Sequence, residues 1–118
     1  MHSVCHLHSF ARAVRDTGMS DEEVDRLEEH LAANPSAGEE IVGTGGCRKL
    51  RWPGRGKGKR GGYRVVTFYS GKEIPVFLLT IFGKNEKADL SAIERSRLKT
   101  MTKALAEEYS KKVRKVTR

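Results

Sequence analysis

Two runs in the middle of the chain, Tyr63 to Tyr69 and Ile74 to Phe82, leave little choice of architecture. Both are rich in β-branched and aromatic residues, and Ser70-Gly71-Lys72-Glu73 between them has turn chemistry, so they form an antiparallel hairpin. The second run is apolar at nearly every position, which implies a central strand covered on both faces. Further strands must lie beside this hairpin, and helices must cover it. The 118 residues hold material for one such domain, 1–118, and no internal repeat divides it.

The flanking segments supply those parts. Met1 to Leu7 alternates between polar and apolar residues as a short strand does. Ser9 is a candidate cap for a helix from Phe10 to about Asp16, which Gly18 ends. Ser20 and Glu23 make a capping box, with Met19 placed to pack on Val24, and open a helix bearing Val24, Leu27 and Leu31 on one side and carboxylates on the other. Asn34-Pro35 stops it. Ile41-Val42 starts a first strand run that Leu50 and Trp52 continue, with Gly43, Gly45 and Gly46 marking a bulge or tight turn. A second capping box, Ser91 with Glu94, opens a last helix whose inward stripe is Ile93, Leu98, Met101, Leu105 and Tyr109. Lys111 to Arg118 is basic throughout and reads as a frayed helix end or tail. The expected class is α+β: helices in front, a mostly antiparallel sheet, then a helix.

Charge says what such a domain binds. Lys and Arg number 23 against 15 Asp and Glu, a net charge of +8, which favours a polyanionic partner. The excess is concentrated in Arg48, Lys49, Arg51, Arg55, Lys57, Lys59, Arg60 and Arg64, a stretch without one acid. The carboxylates gather elsewhere, nine of them between Asp16 and Glu40, so an electrically two-faced molecule is expected. Glycines 54, 56, 58, 61 and 62 interleave the bases and let backbone amides approach an oxyanion. A solvated loop kept soluble by its charge is the plainer reading, but such density costs self-repulsion, and a phosphate-binding face explains it better. Gly83-Lys84-Asn85-Glu86-Lys87 follows the central strand and can bring its bases to the same sheet face as Arg64 and Lys57.

Several other chemistries are poorly supported. Gly56, Gly58 and Gly61 match the spacing of a dinucleotide-binding loop, but a strand follows them rather than a helix. No phosphate-binding loop of the nucleoside-triphosphatase kind is present. His2, His6 and His8 fall on one face of a strand, yet no carboxylate or thiol stands at ligand spacing, so they read as an exposed edge strand rather than a metal site. His30 reads as a surface residue. Cys47 beside Arg48 and Lys49 has neighbours that lower a thiol pKa, but a lone small residue near a turn is ordinarily structural. Cys5 and Cys47 are 42 positions apart without paired spacing, which fits a reduced, cytoplasmic protein better than a disulfide framework. No apolar run approaches the roughly 20 residues that span a bilayer.

Three spaced segments carry a family resemblance: Gly43-Thr44-Gly45-Gly46-Cys47-Arg48-Lys49-Leu50-Arg51-Trp52, Gly58-Lys59-Arg60-Gly61-Gly62-Tyr63-Arg64-Val65-Val66, and Leu78 to Leu90 with Gly83-Lys84-Asn85-Glu86-Lys87 at its centre. In order and spacing the chain resembles the RelE/HigB group of toxins from Phe10 through Leu105. The resemblance implies a compact microbial-ribonuclease-like fold and a toxin of a two-gene toxin–antitoxin module. It also implies cleavage of messenger RNA in the ribosomal A site, against 16S ribosomal RNA, with neutralisation by a HigA- or RelB-like antitoxin and no cofactor, metal or membrane. On that reading Arg64, Lys57, Lys59 and Lys84 are the catalytic set, and Arg48, Lys49, Arg51, Arg55, Arg60 and Lys87 hold RNA phosphates. Ser91 stands where RelE itself has a tyrosine, which leaves the general base open.

Chemically, cleavage by the RNA 2′-hydroxyl needs a proton acceptor, neutralisation of the phosphorane and a proton for the leaving oxygen. Lys57 and Lys59, lowering each other's pKa, are candidates for the acceptor, while Arg64 and Arg60 clamp the phosphate. No Glu–His pair is visible near Arg64, so external alignment of the substrate by the ribosome is expected. Two other classes remain open at this point. A ParE-like poison of DNA gyrase would share the fold and act by protein binding. A basic nucleic-acid-binding module would only neutralise phosphates.

Overall fold

The computed structural model describes residues 2–53, 62–71, 74–83 and 89–116, with side chains described through Tyr109. The elements are β1 (Val4–His6), α1 (His8–Thr17), α2 (Asp21–Ala33), β2 (Glu39–Glu40), β3 (Cys47–Trp52), β4 (Tyr63–Phe68), β5 (Val76–Gly83) and α3 (Ala92–Val116). The architecture is α+β. The five strands form one mixed sheet in the order β1-β5-β4-β3-β2, in which β1 runs parallel to β5 and every other pair is antiparallel.

β4 and β5 are the expected hairpin strands, and β5 lies between β1 and β4 with almost every residue buried. Lys72 and Glu73 of the expected turn lie outside the described residues. Helices α1 and α2 cover one face, where Phe10, Met19, Val24, Leu27 and Leu31 pack on Tyr63, Val65, Leu78 and Ile81. Helix α3 covers the other, where Leu98, Met101 and Leu105 meet Cys47, Val66, Phe68, Phe77, Leu79 and Phe82. Along β5 the two-residue alternation breaks between Leu79 and Phe82, which share a face. The break is a β-bulge: Val66 pairs with Thr80 and Thr67 with Leu78, leaving Leu79 unopposed.

Local signals fixed the helix ends. The Ser20–Glu23 capping box forms in both directions, Gly18 ends α1 at φ 76°, and Ser91 with Glu94 opens α3. Several expectations need correction. Ser9 is not a cap: Leu7 takes that position, and the Ser9 hydroxyl donates to the Leu79 carbonyl at the bulge, 2.5 Å away. Glu23 is buried rather than solvated, because its carboxylate accepts from the Ser20 backbone at the cap. The strand placed at Ile41-Val42 lies earlier, at Glu39–Glu40, and Val42 projects into solvent from the turn. Ile93 is exposed. It stands five residues before Leu98, about 140° around the helix at roughly 100° per residue, and so leaves the inward stripe. The backbone of α3 continues to Val116, so most of the basic end is helix.

The histidines do not form one face. The His2 ring nitrogen meets the Ile74 carbonyl at 2.6 Å, His6 Nε2 lies 3.0 Å from Glu28, and His8 opens α1. His30 is half-buried against the Trp52 ring rather than a free surface residue. Among the described residues no group of three His, Cys, Asp or Glu is placed to hold a metal ion, and no helix is long and apolar enough to cross a membrane.

Candidate active site

Strand alternation sorts the basic stretch into two sets. On β3, Cys47, Lys49 and Arg51 point toward the α3 face, while Leu50 and Trp52 pack on the α1/α2 side with Arg48 between them in phase. On β4, Arg64 shares the α3 face with Val66 and Phe68. The ladder register then sets Arg51 directly opposite Arg64, and Arg64 opposite Phe82. Lys49, Arg51 and Arg64 thus meet at the end of the face that α3 leaves uncovered. They line a concavity of about 360 Å³ together with Gly38 and Glu39.

Each wall has a reason to be where it is. Arg64 is only 7% exposed and lines the pocket. Lys49 is held by an ion pair, its Nζ 3.2 Å from Asp89, and Asp89 also meets Arg95 at 3.4 Å. The backbone N–H of Leu90, donating to Asp89 at 2.8 Å, and the Lys49 ammonium hold that carboxyl below the usual carboxylate range. Glu39 arrives on β2, whose register sets it opposite Lys49. Gly38 has φ 97°, and a Cβ there would stand 2.7 Å from the Lys49 carbonyl oxygen, so only glycine lets the chain pass this close to β3.

Three cations in a concave site suit one multivalent oxyanion, and the arginines add planar pairs of donors for phosphate oxygens. The pocket wall, as far as the described residues form it, is polar, and its cations suit a phosphate.

The residues expected at the site divide accordingly. Arg64, Lys49 and Arg51 come together. Arg48 does not join them: it faces the other way and its guanidinium donates to the Gly38 carbonyl at 3.2 Å, bracing β2. Lys57, Lys59, Lys84, Arg55, Arg60 and Lys87 lie outside the described residues. Cys47 is buried, and desolvation pushes its thiol up to about 11 against the lowering effect of its Thr44 contact, opposite to the activation that basic sequence neighbours suggested. The expected separation of acid from base fails at this pocket, where Glu39 and Asp89 both stand beside Lys49. Glu39 was legible in principle. Ten residues separate it from Lys49 across a glycine-rich turn, a spacing that a hairpin converts into a cross-strand pair.

A solved structure of an arginine double mutant of the E. coli toxin RelE in the free state matches with a TM-score of 0.49 and 14% identity, over 74% of this chain and 87% of that one. A family model described as the RelE toxin of the RelE / RelB toxin–antitoxin system matches residues 3–118. With nearly every residue inside that match, the chain belongs to the RelE toxin family.

Proposed function

We propose that this RelE-family toxin is an endoribonuclease that cuts messenger RNA in the ribosomal A site and so stops translation. The observation that carries the reading is the convergence of Lys49, Arg51 and Arg64 on one pocket. In-line attack of a ribose 2′-hydroxyl on the adjacent phosphorus builds negative charge on the equatorial oxygens. Arg64, largely desolvated, and Arg51 opposite it stand where that charge develops, and donors placed in advance of the reaction contribute the largest share of many rate enhancements. These side chains supply the charge neutralisation themselves, and the proposed reaction needs no metal ion.

Ribosome dependence follows from what the pocket reads. The described residues of the pocket offer charge for a phosphate, and binding a phosphate does not by itself align the 2′-hydroxyl with its phosphorus. Alignment of this kind is worth on the order of 7 to 11 kcal/mol, and a message held in the A site has it supplied. The basic chain, at +8, finds a docking polyanion in ribosomal RNA. A cognate antitoxin, HigA- or RelB-like, neutralises the toxin by covering the pocket.

Purified protein added to a reconstituted translation system should cut the message in phase with codons, with chelator present, and should cut the same RNA feebly when it is free. Equal rates on free and translated RNA at matched salt would overturn ribosome dependence. Replication that stops before translation after induction would favour a gyrase poison instead.

A further inference from the structure

Among the described residues that line the pocket, Glu39 is the carboxylate. We infer that Glu39 accepts the proton of the attacking 2′-hydroxyl and that Lys49, its cross-strand partner, gives a proton to the leaving 5′-oxygen. This assignment rests on the endoribonuclease reading above and names acid and base within the same pocket.

Position is the first argument. Glu39 and Lys49 are direct partners in the antiparallel β2–β3 ladder, which puts their side chains on one face with Cβ atoms about 4.5 to 5.5 Å apart. Both line the concavity with Arg51 and Arg64, so a phosphate held there has a carboxylate and an ammonium at its rim. The neighbouring pair Glu40 and Arg48 obeys the same register and therefore faces the other side of the sheet.

The second argument is how firmly a two-residue edge strand is held. Three contacts fix it: the Gly38 close approach to the Lys49 carbonyl, the Arg48 guanidinium on the Gly38 carbonyl, and the Ile41 N–H donated to the Cys47 carbonyl at 2.8 Å. Such a short strand contributes little to the core, since both of its side chains are exposed. Holding Glu39 at the pocket is what the bracing accomplishes.

Chemistry is the third. A carboxylate can accept the 2′-hydroxyl proton and an ammonium can give one to the departing oxygen, so the pair holds the two groups that the reaction needs. Lys49, Arg51 and Arg64 from β3 and β4 face Glu39, and Asp89 stands beyond Lys49, holding the ammonium in place. Asp89 is a positioning residue. In the step, the 2′-hydroxyl proton passes to Glu39 and the 2′-oxygen bonds to phosphorus. The bond from phosphorus to the 5′-oxygen breaks with its electron pair going to that oxygen, which takes a proton from Lys49. The products are a 2′,3′-cyclic phosphate and a 5′-hydroxyl end. Transfer of the proton from Glu39 to Lys49 then restores both groups.

The test compares Glu39→Gln and Glu40→Gln on ribosome-bound message in single turnover, with binding measured on a message carrying a 2′-deoxy sugar at the cleavage position. Glu39→Gln should lower the cleavage rate at least about 100-fold, the low end of what a general base contributes, and remove the acid limb of the pH–rate profile. It should bind the deoxy message as well as the wild type or better, having lost a charge that repels phosphate. Glu39→Asp should restore part of the rate, and Glu40→Gln should cut like the wild type. Cleavage by Glu39→Gln at near the wild-type rate, or a loss of binding that matches its loss of rate, would overturn the assignment while leaving the endoribonuclease reading intact. A wild-type protein that leaves ribosome-bound message whole would overturn both.

Discussion

Arg51 and Arg64 are direct cross-strand partners on β3 and β4, two guanidinium side chains facing each other on the same side of the sheet. Like charges directly opposite destabilise a strand pair, so this pairing costs stability that a bound anion offsets. Arg51→Gln should therefore raise stability by a few tenths of a kcal/mol, up to about 1 kcal/mol, while cutting messenger RNA at least about ten-fold more slowly. Arg64→Lys keeps the charge but loses the bidentate geometry, and it should also fall at least about ten-fold. Urea melts alongside cleavage rates would check both. A destabilised Arg51→Gln would contradict the account of the pocket as an electrostatically strained anion site.

Cys47 gives a prediction with a sign. Burial raises its pKa in the folded protein to about 11, so folding is favoured relative to thiolate formation at every pH below the ordinary thiol value. That contribution is intact below the model-compound value of 9.0 and is lost as pH rises from there through about 11. Stability of the wild type should fall over that window more than stability of Cys47→Ala. The thiol should resist alkylation in the native protein and react once the chain is unfolded, as the mass of the modified protein would show.

Asp89 makes the opposite test. Its pKa is lowered by the Leu90 N–H and by Lys49, so its contribution is present at neutral pH and lost as pH falls through the lowered value. The carboxyl is largely solvated, and the pair is worth less than about 1 kcal/mol. Asp89→Asn should be slightly less stable than the wild type at about pH 7, with the gap narrowing as pH falls below the ordinary carboxylate value and through the lowered one. Its cleavage rate should drop several-fold through the freed Lys49 side chain. A gap that widens on acidification would refute this account of Asp89.

Gly38 should tolerate no side chain. Its φ of 97° and the 2.7 Å approach to the Lys49 carbonyl both act against Gly38→Ala, which should cost about 1 to 3 kcal/mol and lower cleavage by displacing Glu39. Gly43→Ala shares the left-handed backbone, with φ 82°, but meets open space, so it should lose stability without a comparable loss of rate. Thermal melts with matched cleavage assays separate the two effects.

Local spacing determined much of this protein. Capping boxes at Ser20 and Ser91, the αL end at Gly18 and the apolar β4 and β5 runs are legible because they depend on residues within a few positions of one another. The errors in reading the elements arose where a distant contact decided. Ser9 looks like a cap until the bulged carbonyl of Leu79 claims its hydroxyl, and His30 looks solvated until Trp52 arrives from β3.

The pocket belongs to the second kind. The density of bases from Arg48 to Arg64 announces a phosphate site, but density along a chain does not say which side chains share a face. Strand pleat turns Arg48 away and Lys49 and Arg51 inward, and ladder register brings Arg64 to Arg51 and Glu39 to Lys49. A register shift of one residue would move every one of these side chains to the opposite face while leaving composition and periodicity unchanged. The sequence by itself determined the α+β class, most of the helix ends, the central hairpin and the excess of positive charge. Only the tertiary structure decided which cations converge and that a carboxylate stands among them, because register is set by contacts between segments that the chain order keeps apart.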